Sequence, residues 1–170
     1  FVYTVTRNTK DALVVTACGA EAISFLKVYG VLPAAALFML AYGKLSTIFG
    51  KTALFYSILI PFFLFYLLFG YVLYPMRFVL HPALSAWGGD ASRLSAVVDC
   101  LRNWTLSLFY VISELWASAG VPLLFWTCAN DVLSMEQARR MYPFLSLLGN
   151  VGAIVGGLLM ARVGSHVSLT

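Results

Sequence analysis

Charge is scarce in this sequence. Only 11% of its 170 residues are Asp, Glu, Lys or Arg, whereas 61% are hydrophobic, and the mean hydropathy is +0.88. A water-soluble domain of this length carries far more charge on its surface. The composition therefore argues against an ordinary soluble domain and indicates a protein whose solvent is the lipid bilayer.

The chain has little of the chemistry that metal centres and enzymes use. Cys18, Cys100 and Cys128 do not have metal-ligand spacing and lie in or beside apolar segments, so we interpret them as small packing residues. His81 lies in a loop, His166 lies near the C-terminus, and no G-x-x-x-x-G-K-[ST] phosphate loop occurs. We expect no enzyme activity, no cofactor and no metal.

The formal net charge of +4 does not indicate nucleic-acid binding. Most of the basic residues flank apolar runs, as the topology signals of membrane proteins do. We therefore expect no nucleic-acid partner. The opening residues lack the pattern of a signal peptide. The first residue is not Met, and we expect the natural protein to begin earlier.

Long apolar runs are abundant. A membrane-spanning helix needs about 20 predominantly apolar residues. The sequence predicts five such helices, at residues 1–18, 22–46, 52–75, 99–130 and 138–164, with a loop or a surface-lying short helix at 76–98. The predicted fold is an all-α polytopic membrane protein.

The short loops predict the orientation of these helices. Lys44 and Lys51 bracket the connection between the second and third helices, and Arg139 and Arg140 mark the connection between the fourth and fifth. Both loops lie on the same side in a five-helix alternation, and the other loops have no basic excess. The positive-inside rule makes that side cytoplasmic, or its equivalent in an organelle.

Two ionisable residues interrupt the predicted spans. Lys27 precedes Lys44 by 17 residues, and Glu114 precedes Asp131 by the same number. At about 1.5 Å per residue, each lies about 25 Å from the inner end of its helix. A charge exposed to lipid costs several kcal/mol, so we expect both to face a partner or a watery cavity. A purely structural ion pair is the alternative.

Polar residues extend along one stripe of the fourth predicted helix: Asn103, Ser107, Tyr110, Glu114 and Ser118, with Arg102 one residue off it. The fifth helix carries Asn150 among small residues, and Arg7 and Lys10 share a side of the first helix. Helix packing is the simpler explanation of the small residues.

The candidate cavity has a surplus of cations, namely Arg7, Lys10, Lys27 and Arg102 against Asp11 and Glu114. Lys and Arg bind phosphate groups well. The sequence therefore predicts an anionic substrate, although Asp11 could neutralise Lys10 locally.

The loop GKLSTIFGK, residues 43–51, resembles the G-x-L-x-D-x-x-G-[RK] loop of the major facilitator transporters. Gly43, Leu45, Gly50 and Lys51 match, while Thr47 stands where that family usually has Asp. The resemblance implies a major-facilitator-like bundle.

A more specific resemblance covers nearly the whole chain. It is carried by the blocks TKDALVVTACGAEAISFLK (9–27), KTALFYSILIPFF (51–63), LRNWTLSLFYVISELWAS (101–118), VPLLFWTCAND (121–131) and EQARRMYPFLSLLGNVG (136–152). These blocks are similar to the non-mitochondrial ATP/ADP translocases of plastids and intracellular bacteria. The resemblance implies a twelve-helix carrier that exchanges ATP for ADP, often with phosphate, of which this chain is part of the amino-terminal half.

The same resemblance implies functional residues where the motifs align. Lys27 closes the A-E-x-x-x-F-L-K block, Glu114 is the acid of E-L-W, Arg102 is the arginine of L-R-x-W, and Asn150 belongs to the G-N-V stretch. The substrate-binding candidates, from residues and resemblance together, are Lys27, Glu114, Arg102, Asn150, Lys10, Arg7, Tyr110 and Asn103.

The resemblance also implies the partners and the location. The partners are ATP and ADP, the lipid bilayer and the carboxy-terminal half of the same transporter. The expected membrane is the plastid inner envelope, with the inner membrane of an intracellular bacterium as the alternative. The segment ACGAE departs from some relatives, which have a longer turn there.

Our hypothesis for the empty site is that Glu114 lies near Lys27 and Arg102 and holds these cations until phosphate groups enter. Two other readings stay open. In the first, the protein takes up nucleotides or NAD together with protons, and Glu114 carries the proton. In the second, the chain belongs to a membrane scaffold that has kept the fold without transport.

Overall fold

The structure is a computed structural model that describes residues 2–76, 80 and 95–167. The helices are α1 (Val2–Cys18), α2 (Glu21–Ile48), α3 (Lys51–Leu73), α4 (Ser95–Arg102), α5 (Trp104–Val132) and α6 (Met135–Val167). No strand occurs in these ranges. The larger part of the predicted connection at 76–98 lies outside the described residues.

Among the described residues, four helices are long and apolar enough to cross a membrane: Glu21–Ile48, Lys51–Leu73, Trp104–Val132 and Glu136–Arg162 within α6. The helix α1 has 17 residues. The prediction of an all-α polytopic membrane protein is therefore confirmed. The fourth predicted helix differs in one respect, because it is divided at Asn103, whose backbone leaves the helical conformation.

Short breaks separate the helices. Between α1 and α2, Gly19 has a φ of +83°, a conformation that glycine adopts without steric cost. Between α2 and α3, Phe49 and Gly50 are extended, and α3 begins at Lys51. The Lys51 ammonium forms an ion pair with Asp131, which joins the start of α3 to the end of α5.

The central helix of the described bundle is α5. In its most apolar 18-residue stretch 44% of the residues are buried, against 6% in the corresponding stretches of α2 and α6. One hydrophobic cluster joins α1, the start of α2, α4 and α5, and a second joins α2, α3 and α5. The candidate residues of α1 and α5 are thereby held against each other, whereas most of the surface of α2 and α6 stays exposed.

In the part of the chain that the structure describes, three helices contain a π-helical segment: Leu26–Val31 in α2, Phe69–Leu73 in α3 and Trp116–Gly120 in α5. Such segments are rare and are frequently found at functional sites. Lys27 lies inside the first, and Glu114 lies two residues before the third. At Gly30 the backbone of α2 comes so close to α5 that an added Cβ atom would lie 2.7 Å from Cγ2 of Val111.

Candidate substrate-binding site

The most deeply buried charge in the described part of the chain is the ammonium of Lys10. Its residue is 1% exposed, and its Nζ atom lies 2.7 Å from Oδ1 of Asp11 and 2.7 Å from Oε2 of Glu114. The same ammonium lies over the ring of Tyr110, 4.1 Å from the centroid. A cation buried among apolar helices is stable only with such partners.

Local helix geometry explains why these groups meet. On α5, Tyr110 and Glu114 are four residues apart and therefore share a face. On α1, Val14 is one turn beyond Lys10, and it is fully buried against the same cluster as Tyr110. Packing of Val14 and Tyr110 brings α1 against α5, and Lys10 then reaches the Glu114 carboxylate.

The structure corrects our hypothesis about the partner of Glu114. We expected Lys27 and Arg102 beside it, but Glu114 pairs with Lys10 of α1. On α2, Leu26 is buried and Gly30 lies against Val111 of α5. The face of α2 that carries Leu26 and Gly30 is therefore directed toward α5, whereas the neighbouring Lys27 is exposed. Arg102 is also exposed, at the end of α4.

The other candidates differ in their surroundings. Arg7 is exposed although it is one turn from the buried Lys10, and Asn150 is exposed on α6. The amide of Asn103 donates hydrogen bonds to the carbonyl groups of Ala17 and Asp99, at 3.4 Å and 3.2 Å. Asn103 thus joins the end of α1 to α4, which is a structural task that the polar stripe did not reveal.

Sequence reasoning missed two members of this region. Ser113 is fully buried on α5 beside Glu114, and the buried hydroxyl of Tyr66 belongs to the facing helix α3. Ser113 lies three residues after Tyr110, so the helical period could have revealed it. Tyr66 carries no comparable signal, because it stands within a run of aromatic and aliphatic residues.

Asp11, Lys10 and Glu114 together form a site of net charge −1 with one cation. Our observation that Asp11 could neutralise Lys10 is confirmed by their ion pair. The Lys10 ammonium has three protons to donate, and two are directed to carboxylates. An incoming phosphate group would therefore have to compete with a carboxylate for this ammonium.

The sequence comparisons agree with this architecture. The family model of the TLC ATP/ADP transporter matches residues 1–169. The chain therefore belongs to the TLC ATP/ADP transporter family, as its sequence motifs predicted, and it is a multi-pass membrane protein.

Relatives occur in bacteria and in plants. The chain is 46% identical over 162 residues to an ADP,ATP carrier protein 1 of Chlamydia muridarum, covering 92% of this chain and 31% of that protein. It is 44% identical to the plastidic ATP/ADP-transporter of Solanum tuberosum, covering 92% and 26%, and 38% identical to an ADP,ATP carrier protein 3 of Rickettsia prowazekii, covering 94% and 32%. The chain spans about a third or less of the length of these relatives. No solved structure matches it.

Proposed function

We propose that this chain is part of a carrier that exchanges ATP for ADP across a membrane by alternating access. Family membership and the names of the relatives, which are ADP,ATP carriers, support the substrates. Membership of a transporter family supports a role as a carrier. The rest of the carrier, including its carboxy-terminal half, would complete the binding site.

The observation that carries the proposal is the buried ion cluster of Lys10, Asp11 and Glu114. Binding sites of many secondary transporters lie between helices near the middle of the bilayer. In the proposed cycle, the phosphate groups of a nucleotide bind Lys10 and release Glu114. The exposed Lys27, Arg102 and Arg7, with Asn150, Asn103 and Tyr110, are further proposed substrate contacts.

The exchange of one nucleotide for another follows from the competition between phosphate groups and the Glu114 carboxylate for Lys10. The empty site holds its cation between two carboxylates, which keeps α1 attached to α5. A bound nucleotide replaces this attachment, so the helices rearrange more easily when the site is occupied. A carrier of this kind returns slowly when empty and rapidly with the second nucleotide.

Transport by the full-length protein in liposomes tests the proposal. We expect vesicles preloaded with ADP to take up labelled ATP, and we expect the uptake to be independent of a proton gradient. Vesicles without internal ADP are the control and should take up far less. Gradient-driven uptake into empty vesicles would instead establish proton-coupled import, and absence of any uptake would favour the scaffold.

The membrane is part of the proposal. Plastid and bacterial relatives match the chain at similar identity, so both locations agree with the comparisons. We retain the plastid inner envelope as the first proposal, with the bacterial inner membrane as the alternative. Localisation of a tagged full-length protein in its own cell distinguishes them.

A further inference from the structure

Two of the three cysteines meet at one end of the bundle. Cys18 is the last residue of α1 and Cys100 lies in α4, and they are 6% and 3% exposed. Both belong to one hydrophobic cluster, and the Cys18 thiol lies against the backbone of α4 at Asp99, the residue before Cys100. Cys128 is exposed on α5 and belongs to a different end of the molecule.

The surroundings hold the two residues in place. The Cys18 thiol donates to the carbonyl group of Asp99 at 3.5 Å, and the Asn103 amide lies 3.7 Å from the Cys18 sulfur. The Ser107 hydroxyl donates to the carbonyl group of Cys100 at 2.8 Å. Residues that are far apart in the sequence are thus fixed beside each other by several independent contacts.

The positive-inside rule predicts on which side of the membrane the pair lies. By the positive-inside rule, the end of α1 and the helix that precedes α5 lie opposite the cytoplasmic loops. In a bacterium that side is the periplasm, where disulfides form and persist. A disulfide needs sulfur atoms that can approach to about 2.05 Å, so the two cysteines must be neighbours in the folded chain. Their shared buried cluster, with the Cys18 sulfur beside the residue that precedes Cys100, meets this condition.

We propose that Cys18 and Cys100 form a disulfide that joins α1 to α4 on the non-cytoplasmic side. The bond forms by exchange with a disulfide donor. One cysteine thiolate attacks the donor disulfide and gives a mixed disulfide, and the second thiolate then displaces the donor. Two thiols lose two protons and two electrons, and the donor disulfide is reduced to two thiols.

Burial of the two thiols determines when the disulfide can form. Burial raises the pKa of the Cys100 thiol, so the packed thiol is mostly protonated and reacts slowly. Exchange with a donor is faster while the chain is still folding and both thiols are accessible. The finished disulfide is then covered by the cluster and is protected from reductants in the native protein.

Thiol labelling of the full-length protein tests the proposal. The Cys128→Ser variant, with any other cysteines of the full-length protein also replaced by Ser, is produced in a bacterial inner membrane. It is quenched with acid, denatured, and labelled with a maleimide attached to polyethylene glycol, with or without prior reduction by dithiothreitol. We expect no labelled cysteine without reduction and two after it, seen as two shifts in gel mobility.

Two labels without reduction would overturn the proposal. Cys18→Ser and Cys100→Ser, each in the same background, are matched controls and should each give one label with or without reduction. The expected result is measured on the variant that keeps both Cys18 and Cys100. It can therefore be read even if one of the two control variants is not produced in the membrane. Nucleotide exchange by the same membranes is a separate readout and does not enter this test.

Discussion

Lys10 has two carboxylate partners that differ in how far water reaches them. The side chain of Asp11 is 39% exposed and that of Glu114 is 25% exposed, whereas that of Lys10 is 2% exposed. Loss of the cation would leave two neighbouring carboxylates, whereas loss of Glu114 leaves a neutral pair of Lys10 with Asp11. Loss of the Lys10 cation and loss of the Glu114 carboxylate are therefore not equivalent.

We expect Lys10→Gln to destabilise the full-length protein more than Glu114→Gln. Removing one member of a buried ion pair costs about 3 to 5 kcal/mol, and partial hydration of the carboxylates reduces this for Lys10→Gln. Glu114→Gln should cost less than this, since Lys10 keeps its ion pair with Asp11 and no buried charge is left without a partner. Thermal unfolding of the purified protein in detergent measures both effects.

Exchange should respond differently from stability. Glu114→Gln is expected to abolish most ATP/ADP exchange although the protein still folds, and Lys10→Gln/Glu114→Gln should recover stability without recovering exchange. Asp11→Asn is the matched control. It also removes a carboxylate that pairs with Lys10, but this carboxylate lies on the same helix as Lys10 and not on α5. If Glu114→Gln prevented membrane insertion, the ion pair would be structural and the proposed role of Glu114 would be wrong.

At the scale of elements, α2 and α5 come so close at Gly30 that there is no room for a side chain at this position. Gly30 lies in the π-helical segment of α2, and an added Cβ atom would meet Cγ2 of Val111. Val is branched at Cβ and has one strongly preferred rotamer in a helix, so it cannot turn aside easily. The two helices would have to separate.

We expect Gly30→Ala to destabilise the protein by about 1 to 3 kcal/mol, the usual cost of overpacking. Val111→Ala removes the obstructing methyl groups, so the double variant Gly30→Ala/Val111→Ala should regain part of this loss. Gly43→Ala is the control, because nothing lies within 4 Å of an added Cβ atom there. Equal melting temperatures for Gly30→Ala and Gly43→Ala would contradict the close packing.

The elements also show where sequence reasoning ends. Hydrophobic runs located the helices, because a span must be apolar along its whole length. Axial rise placed Lys27 and Glu114 along their helices, but it contains no information about which helices are neighbours. That depends on packing of Val14, Tyr110 and Gly30 between distant segments, and so the pairing with Lys27 was wrong and Lys10 took its place.

At the scale of the whole molecule, the distribution of basic residues predicts the orientation. Cysteines introduced at Ala20 and Ser134, each in an otherwise cysteine-free full-length protein, probe the two sides, since both residues are exposed in the structure. A membrane-impermeant maleimide added outside intact cells should label Ala20→Cys and not Ser134→Cys. Inverted membranes should reverse the pattern, and detergent should expose both. Labelling of Ser134→Cys from outside would reverse the orientation.

The helix α6 is longer than the membrane is thick. Its 33 residues extend over about 50 Å, whereas the hydrocarbon core is about 30 Å. The uncharged stretch between Arg140 and Arg162 is enough to fill that core, so the first turns, with Glu136 and Arg139, extend beyond it, on the cytoplasmic side in the predicted orientation. A helix of this length converts a small change in tilt into a large displacement of its end. A change in tilt of about 20°, within the range of membrane helices, would displace one end by roughly 17 Å relative to the other.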